Sequence, residues 1–219
     1  MKTKDRILAA ALRLFNEQGV SNVSSRTVSD DLQISYGNLT YYFPKKEDII
    51  YQLYMNMQAE LDQQFSKLRQ EIFQFDFMVR SLRGTLEVLH SYRFVFLDLT
   101  YLTRKFPKIK AHAVRQYHSR QEIGKQIFGF LMREGYLKEE KVEGHYDMLV
   151  HNVVMILNLW IMDSEIYYRG SESAKVDHYL ELIYSFVRAS LTKKGADAFM
   201  DVYREFQPPS SRLSGVSQD

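Results

Sequence analysis

Hydrogen-bonding and aromatic side chains are concentrated in one short segment near the N-terminus of the 219-residue chain. The segment carries hydroxyl, phenol and amide groups around a glycine: Ser35, Tyr36, Gly37, Asn38, Thr40, Tyr41 and Tyr42. An asparagine amide can pair with an adenine edge, and a threonine can meet a thymine methyl group. Tyrosine and serine hydroxyls can donate to phosphate oxygens, and a glycine lets a helix backbone come close to another surface. This chemistry indicates contact with nucleic acid.

Further polar residues on either side of this segment could hold a phosphate backbone. Ser25, Arg26 and Thr27 stand at the predicted start of a second helix, and a helix N-terminus attracts phosphate. Lys46, at the predicted start of a fourth helix, is a candidate cationic clamp. Each residue alone has a plainer interpretation, as a helix cap, a solvated turn or a packed tyrosine. The ordered array favours DNA binding, in which phosphate contacts set register and base contacts set sequence.

The sequence does not indicate catalysis, metal binding or a cofactor. The chain has no cysteine, which excludes disulfides, thiolate metal sites and cysteine nucleophiles. None of its six histidines has the His-x-x-x-His spacing that places two ligands on one helix face, although Asp147 and His151 could form a hydrogen-bonded pair. A phosphate-binding glycine loop and a Gly-x-Ser-x-Gly elbow are also absent from the sequence. We therefore predict no enzyme activity, no cofactor and no metal.

The elements that position the polar segment are predicted to be helices, because apolar residues recur at helical spacing almost everywhere. The predicted N-caps of the first three helices are, in order, Thr3, Ser24 or Ser25, and Ser35. On the third helix Leu39 and Phe43 form an inward pair four residues apart, which directs the polar residues outward. Three short helices with a tight turn before the third have the layout of a helix-turn-helix.

The rest of the chain is predicted to be helical as well, so the expected fold class is all-α. A long fourth helix begins near Lys45 and leads into the body of the protein. Further helices are predicted over residues 77–92, 94–103, 107–134, 145–168, 174–194 and 197–206. We divide the chain into a helix-turn-helix head, 1–48, an all-helical effector-binding and dimerisation body, 49–206, and a disordered tail, 207–219.

The segment from Ser35 to Ile49 resembles the recognition-helix signature of the TetR family of bacterial transcriptional regulators, AcrR-like members included. The upstream residues that share the resemblance are Phe15-Asn16-Glu17-Gln18-Gly19, Arg26 and Val28. The chain departs from the usual family residues at Asn38, Thr40, Tyr42 and Pro44. Gln33 fills a turn position commonly held by glycine, where a left-handed conformation costs a non-glycine residue roughly 1–2 kcal/mol. Because of these departures, the operator sequence cannot be taken from a relative.

The resemblance implies a cytoplasmic, sequence-specific DNA-binding regulator, namely a homodimeric repressor that a small-molecule effector releases from a palindromic operator. It also implies that the last two long helices pair with those of a second copy. The candidate interface residues are Met155, Leu159, Leu180, Ile183 and Val187. A monomeric core is the alternative explanation for these apolar residues.

Other interpretations of the body remain open at the level of sequence. A constitutive DNA-binding adaptor would contact a protein partner and hold no ligand, whereas an all-helical enzyme or carrier would not bind DNA. The aromatic residues between Tyr92 and Tyr136 could line an apolar effector pocket or form plain core, so no pocket residue is assigned. The apolar run from Val153 to Met162 falls short of the roughly 20 residues of a membrane span. We therefore expect no membrane association.

Overall fold

The computed structural model describes residues 2–70 and 74–206, with side chains omitted for 65–70. The described residues form helices joined by loops and include no β-strand beyond one isolated β-bridge, which confirms the predicted all-α class. The first helices are α1 (Thr3–Gln18), α2 (Ser25–Asp31), α3 (Tyr36–Tyr42) and α4 (Lys46–Gln70). They are followed by α5 (Phe75–Ser91), α6 (Arg93–Leu97), α7 (Leu99–Lys105), α8 (Pro107–Arg133), α9 (His145–Tyr167), α10 (Lys175–Arg188) and α11 (Lys193–Phe206). The predicted tail, 207–219, lies outside the described residues.

Capping side chains define two of the helices in the head. Ser24 forms a reciprocal capping box with Thr27, and the Ser35 hydroxyl accepts from the backbone N–H of Asn38 at 3.1 Å. The prediction of Thr3 as the first N-cap is wrong, because α1 already begins at Thr3 and its N-cap, Lys2, makes no side-chain bond. Two of the three short helices therefore begin where their serines predicted.

The turn between α2 and α3 has the strained backbone that the sequence predicted. Gln33 has a φ of 55°, in the left-handed region that disfavours residues with a Cβ. Two backbone bonds hold the turn: Gln33 N–H donates to the carbonyl of Asp30, and Ile34 N–H donates to that of Ser29, both at 3.0 Å. These contacts fix the angle between α2 and α3.

Helix α4 belongs to both halves of the protein. Its first turns place Ile49 and Ile50 in the core beneath α1, and Leu53, Met57 and Leu61 continue the buried stripe along the helix. In the body, α4 packs against α5. Head and body therefore share one helix, which links the position of the head to this part of the body.

The body differs from the sequence prediction at two helix boundaries. The helix predicted over 94–103 is divided into α6 and α7 at Asp98, whose carboxylate accepts from the backbone N–H of Val20 at 3.1 Å. The helix predicted over 174–194 ends at Arg188, and α11 begins at Lys193. There, the backbone pairs with the α8–α9 loop around the Leu137–Leu191 bridge. These contacts join residues far apart in sequence, which local periodicity cannot reveal.

A second connection between head and body is the amide of Asn16, near the end of α1. Its Nδ2 donates to the carbonyl of Ser91 at 2.8 Å, and its Oδ1 accepts from the backbone N–H of Phe94 at 3.1 Å. Beside it, the rings of Phe15 and Phe94 lie 5.4 Å apart. The α1 end is therefore docked on the junction of α5 and α6.

We expect Asn16→Ala to lower the free energy of unfolding by about 1–3 kcal/mol, because two backbone groups at the α5–α6 junction lose their partner. Urea unfolding of the full chain measures this change. Gln18→Ala, at an exposed site on the same helix, is the matched control and should change stability by less than about 0.5 kcal/mol. Equal stability of the two variants would contradict the docking role of Asn16.

Candidate nucleic-acid interface and ligand cavity

Helix α3 has one buried side and one open side. Leu39 is fully buried and Phe43, just after the helix, is 4% exposed, so both anchor α3 to the head. Tyr41 is 82% exposed on the opposite side, and the space around Gly37 is open. The predicted residues of this segment share the outer face: Ser35, Tyr36, Gly37, Asn38, Tyr41 and Tyr42 are all exposed. The structure therefore brings these polar groups together.

Three of the predicted contact residues already have roles within the α3 segment. The Thr40 hydroxyl donates to the backbone carbonyls of Tyr36 and Gly37, at 3.1 and 3.2 Å, which leaves its methyl group and an oxygen lone pair for other contacts. The rings of Tyr41 and Tyr42 stand edge to face, 5.1 Å apart. These contacts limit the rotamers of the outer face before any ligand arrives.

The N-terminus of α2 stands beside α3. The guanidinium of Arg26 lies over the ring of Tyr36, 5.6 Å from its centroid, and Arg26 is exposed. Ser25 is half-buried, and Thr27 is occupied in the capping box with Ser24. Of these three predicted phosphate contacts, Arg26 is the charged residue and also the most exposed.

Lys46 faces the interior of the head more than the sequence suggested. Its Nζ donates to the backbone carbonyls of Val20 and Val23, at 3.0 and 2.9 Å. These carbonyls belong to the short 3₁₀ turn Val20–Asn22 and the residue that follows it. The ammonium therefore joins α4 to the end of this turn, and at most one of its three donors remains for a phosphate.

A cavity of about 190 Å³ lies within the body, between α5, α8, α9, α10 and α11. Its walls are mainly aliphatic, and representative residues are Met78, Leu82, Ile127, Leu131, Val154, Leu157 and Val187. Of the aromatic residues that the sequence offered as pocket candidates, only Phe128 is among those that line it. The sequence signal that could have found the cavity is the stripe Arg120, Ile123, Gly124, Ile127 and Leu131 on one face of α8.

Comparisons with known proteins agree with this architecture. The profile described as "Bacterial regulatory proteins, tetR family" matches residues 7–53, and the one described as "Bacterial transcriptional repressor" matches residues 56–199. The chain belongs to the TetR family. Its members are transcriptional regulators that bind DNA, so the helix-turn-helix assignment is confirmed.

Individual relatives are similar at modest identity. The protein named "Probable HTH-type transcriptional regulator YttP" of Bacillus subtilis (strain 168) is 25% identical over 150 residues, which cover 64% of this chain and 68% of that protein. A TetR-family transcriptional regulator from Marinobacter aquaeolei VT8 has the same fold, with a TM-score of 0.82, 23% identity, and coverage of 95% of this chain and 100% of that one. A regulator from Saccharomonospora viridis, solved in complex with choline, has a TM-score of 0.63 and 21% identity over 86% of this chain and 96% of that one.

The surface that a second copy could contact differs in part from the residues expected for a TetR-family dimer. Leu180 is fully buried and Ile183 is 2% exposed, so both belong to the core of one copy and are not available to a partner. Val187 is half-buried against the same core. Met155 and Leu159 are exposed as expected. They lie in an apolar face on α9 and α10 that comprises Met148, Met155, Leu159, Met162, Ile166, Leu182 and Phe186.

Helix α9 is the one described helix that is long and apolar enough, by length and composition, to cross a membrane. One face of it packs on α5, α6, α8 and α10, with Trp160 and Ile161 in the core. The composition of α9 therefore fits a core helix that also carries an exposed apolar face.

The predicted pair of Asp147 and His151 does not form. Nδ1 of His151 instead contacts the Tyr117 hydroxyl and the Gln121 amide, both at 3.1 Å, while Asp147 lies 3.5 Å from the ammonium of Lys125. These partners lie on the neighbouring helix α8. The prediction rested on spacing within α9 alone, so it could not include contacts with α8. Within the residues that the structure describes, no group of three or more histidine or acidic side chains could hold a metal ion.

We expect Lys46→Ala to destabilise the head by about 1–3 kcal/mol, because two backbone carbonyls lose a charged donor. Lys45→Ala, which removes an exposed lysine beside it, is the control for charge alone and should change stability by less than about 0.5 kcal/mol. Thermal and urea unfolding measure both variants. If the two lysines prove interchangeable in stability, the carbonyl contacts of Lys46 are not structural.

Proposed function

We propose that the chain is a homodimeric, cytoplasmic repressor that recognises a palindromic DNA operator and releases it when a small molecule occupies the cavity. The observation that supports DNA binding is the outer face of α3. Six exposed residues lie there, five with hydrogen-bonding side chains and one glycine, and Leu39 anchors the helix to the head. In a helix-turn-helix, such a face enters the major groove. The proposed units remain the head, 1–48, and the body, 49–206.

On this proposal, the contacts with DNA divide by chemistry. Asn38 and Thr40 read base edges, while Tyr36, Tyr41 and Tyr42 contact phosphates or pack against the groove. Ser25, Thr27, Ser35 and Arg26 stand near the backbone, and Lys46 contributes its remaining donor. Gly37 adds no side chain, so the α3 backbone can approach closely.

A dimer follows from the need for two heads. Half-sites one DNA turn apart, roughly 34–36 Å, require two recognition helices held at that spacing. The apolar face on α9 and α10 supports this arrangement, because seven large apolar side chains on it are 38–62% exposed in one copy. We propose that the two helices pair with those of a second copy through this face.

The cavity favours a repressor that a ligand releases from DNA over a constitutive DNA-binding adaptor, because an adaptor needs no internal cavity. Helix α5 lines the cavity through Met78 and Leu82, and its last residue, Ser91, bonds to Asn16 of the head. A ligand that favours one position of α5 therefore favours one position of the head. Such coupling typically amounts to about 1–3 kcal/mol and equals the difference in ligand affinity between the two states.

We expect Asn38→Ala to weaken operator binding by about 1–3 kcal/mol with little effect on unrelated DNA, because it removes a base contact. Arg26→Ala should weaken binding to all DNA and reduce the slope of log affinity against log salt by about 0.9 for each phosphate that the arginine neutralises. Fluorescence anisotropy with DNA flanking the gene, at several salt concentrations, measures both effects.

Arg104→Ala is the matched control for Arg26, since it removes an exposed arginine from α7 in the body. Its salt slope should stay at the wild-type value. Equal slopes for Arg26→Ala and Arg104→Ala, together with wild-type operator affinity of Asn38→Ala, would rule out this use of the head.

We expect Leu159→Glu and Phe186→Glu to convert the dimer to a folded monomer, because each places a charge in an apolar contact. Sedimentation velocity gives the oligomeric state, and circular dichroism confirms folding. Val114→Glu, at a 50% exposed site on α8, is the control and should leave the dimer intact. A dimer that survives both charged substitutions would place the interface elsewhere.

A further inference from the structure

The polar groups that line the cavity are few, and two of them are already satisfied. The Ser81 hydroxyl donates to the backbone carbonyl of Gln64 at 3.3 Å, and the Thr85 hydroxyl donates to that of Ser81 at 2.9 Å. Both bonds stay within α5 or join it to α4, so neither hydroxyl has a hydrogen left for a ligand. The one charged side chain among the described residues that line the cavity is Arg120 of α8.

Arg120 is largely buried, yet within the described part of the chain it has no acidic partner of the kind that Arg83 has on α5. Among the described residues, its one side-chain hydrogen bond reaches Asn158 Oδ1 at 3.5 Å, and no carboxylate forms a salt bridge with it. Arg83, by contrast, pairs with both Asp177 and Glu87. A guanidinium has five N–H donors and stays charged in proteins, so Arg120 can serve further acceptors.

Burial makes this unpaired charge unfavourable and therefore receptive to an anion. Removal from water lowers the pKa of the Arg120 guanidinium, and electrostatic interaction with Tyr54 and with the carboxylate of Asp62 acts in the opposite direction. A carboxylate can meet a guanidinium through two parallel charge-assisted hydrogen bonds. In a site partly shielded from solvent, such a pair is stronger than on an open surface.

The size of the cavity sets the apolar part of the ligand. An apolar cavity of about 150 Å³ holds a benzene ring. In proportion, the observed volume of about 190 Å³ suits about seven or eight carbon atoms. Apart from the occupied hydroxyls of Ser81 and Thr85, the walls beyond Arg120 are aliphatic and aromatic, so these carbons need carry no polar group.

We propose that the cavity binds an amphiphilic carboxylate of medium length, with its carboxylate on Arg120 and its hydrocarbon part between α5, α8 and α9. The proposal rests on the ligand-released repression above and names the chemical class of the effector. The carboxylate of such a ligand would lie on the side of the cavity that faces α4, because Arg120 interacts electrostatically with Tyr54 of that helix. Burial raises the pKa of Tyr54 to about 12, and the charges of Arg120 and Arg115 act in the opposite direction. An anion at Arg120 therefore acts beside the helix that joins body and head.

Isothermal titration calorimetry of the full-length protein with octanoate, 1-octanol and octylamine tests the head group, because the three differ in charge and share one chain length. We expect octanoate to bind about 10- to 100-fold more tightly than octanol, and octylamine most weakly. Arg120→Gln should reduce the preference for octanoate over octanol to about threefold or less. Arg115→Gln, on an exposed site of the same helix, should keep the wild-type preference.

The comparison of the three ligands on the wild type needs no variant, and Arg120→Lys retains a cation if Arg120→Gln fails to fold. Equal affinity for octanoate and octanol, or no binding by carboxylates from hexanoate to decanoate, would overturn the proposal. An operator-release assay separates this result from the proposed function. Release by a neutral ligand alone refutes the carboxylate assignment, whereas tight octanoate binding without release refutes ligand-controlled repression.

Discussion

The contact between Asn16 and the α5–α6 junction is the constraint on which the relation of head to body depends. One amide satisfies a carbonyl at the end of α5 and an N–H at the start of α6. Asp98 adds a second bond from the α6–α7 break to Val20. With α4 continuous across both halves, the head is attached at separate points along the chain. Rigid attachment at several points lets a displacement in the body become a displacement of α3.

Helix α5 connects this attachment to the cavity. Met78, Leu82 and Thr85 line the cavity from one face of the helix, and Ser91 at its end meets the head. On the proposed function, the effect of a bound ligand would pass along α5 to the hydrogen bonds of Asn16 at the α5–α6 junction, and from α1 through α2 to α3. Protein interiors are packed about as densely as organic crystals, so packed helices tend to shift as units. A displacement at one end of α5 is therefore transmitted to the other.

The head could be predicted from sequence because its signals are local. Ser24, Ser35 and Gln33 mark caps and a strained turn within a few residues of the elements they define, and Leu39 marks the buried side of α3. The body depended on contacts between distant residues. The break at Asp98 reflects a bond to α1, and Leu180 is buried by neighbouring helices that periodicity cannot identify. The cavity could not be predicted from the aromatic residues of the central segment, because aliphatic residues from α5, α8, α9 and α10 form most of its wall.

On the proposed function, α9 would link ligand binding to dimerisation. Val150, Val154 and Leu157 face the cavity, while Met155 and Leu159 face away from the core on the same helix. A helix that is apolar on most of its circumference needs packing partners on more than one side. One side of α9 forms part of the cavity wall, and the other side forms the exposed apolar face. If α9 pairs with its counterpart in a second copy, a shift that accommodates a ligand also shifts the axis between the copies. The distance between the two recognition helices would then depend on the cavity, in addition to the orientation of each head through α5. Both effects can act on the same operator because DNA fixes the half-site spacing to one helical turn.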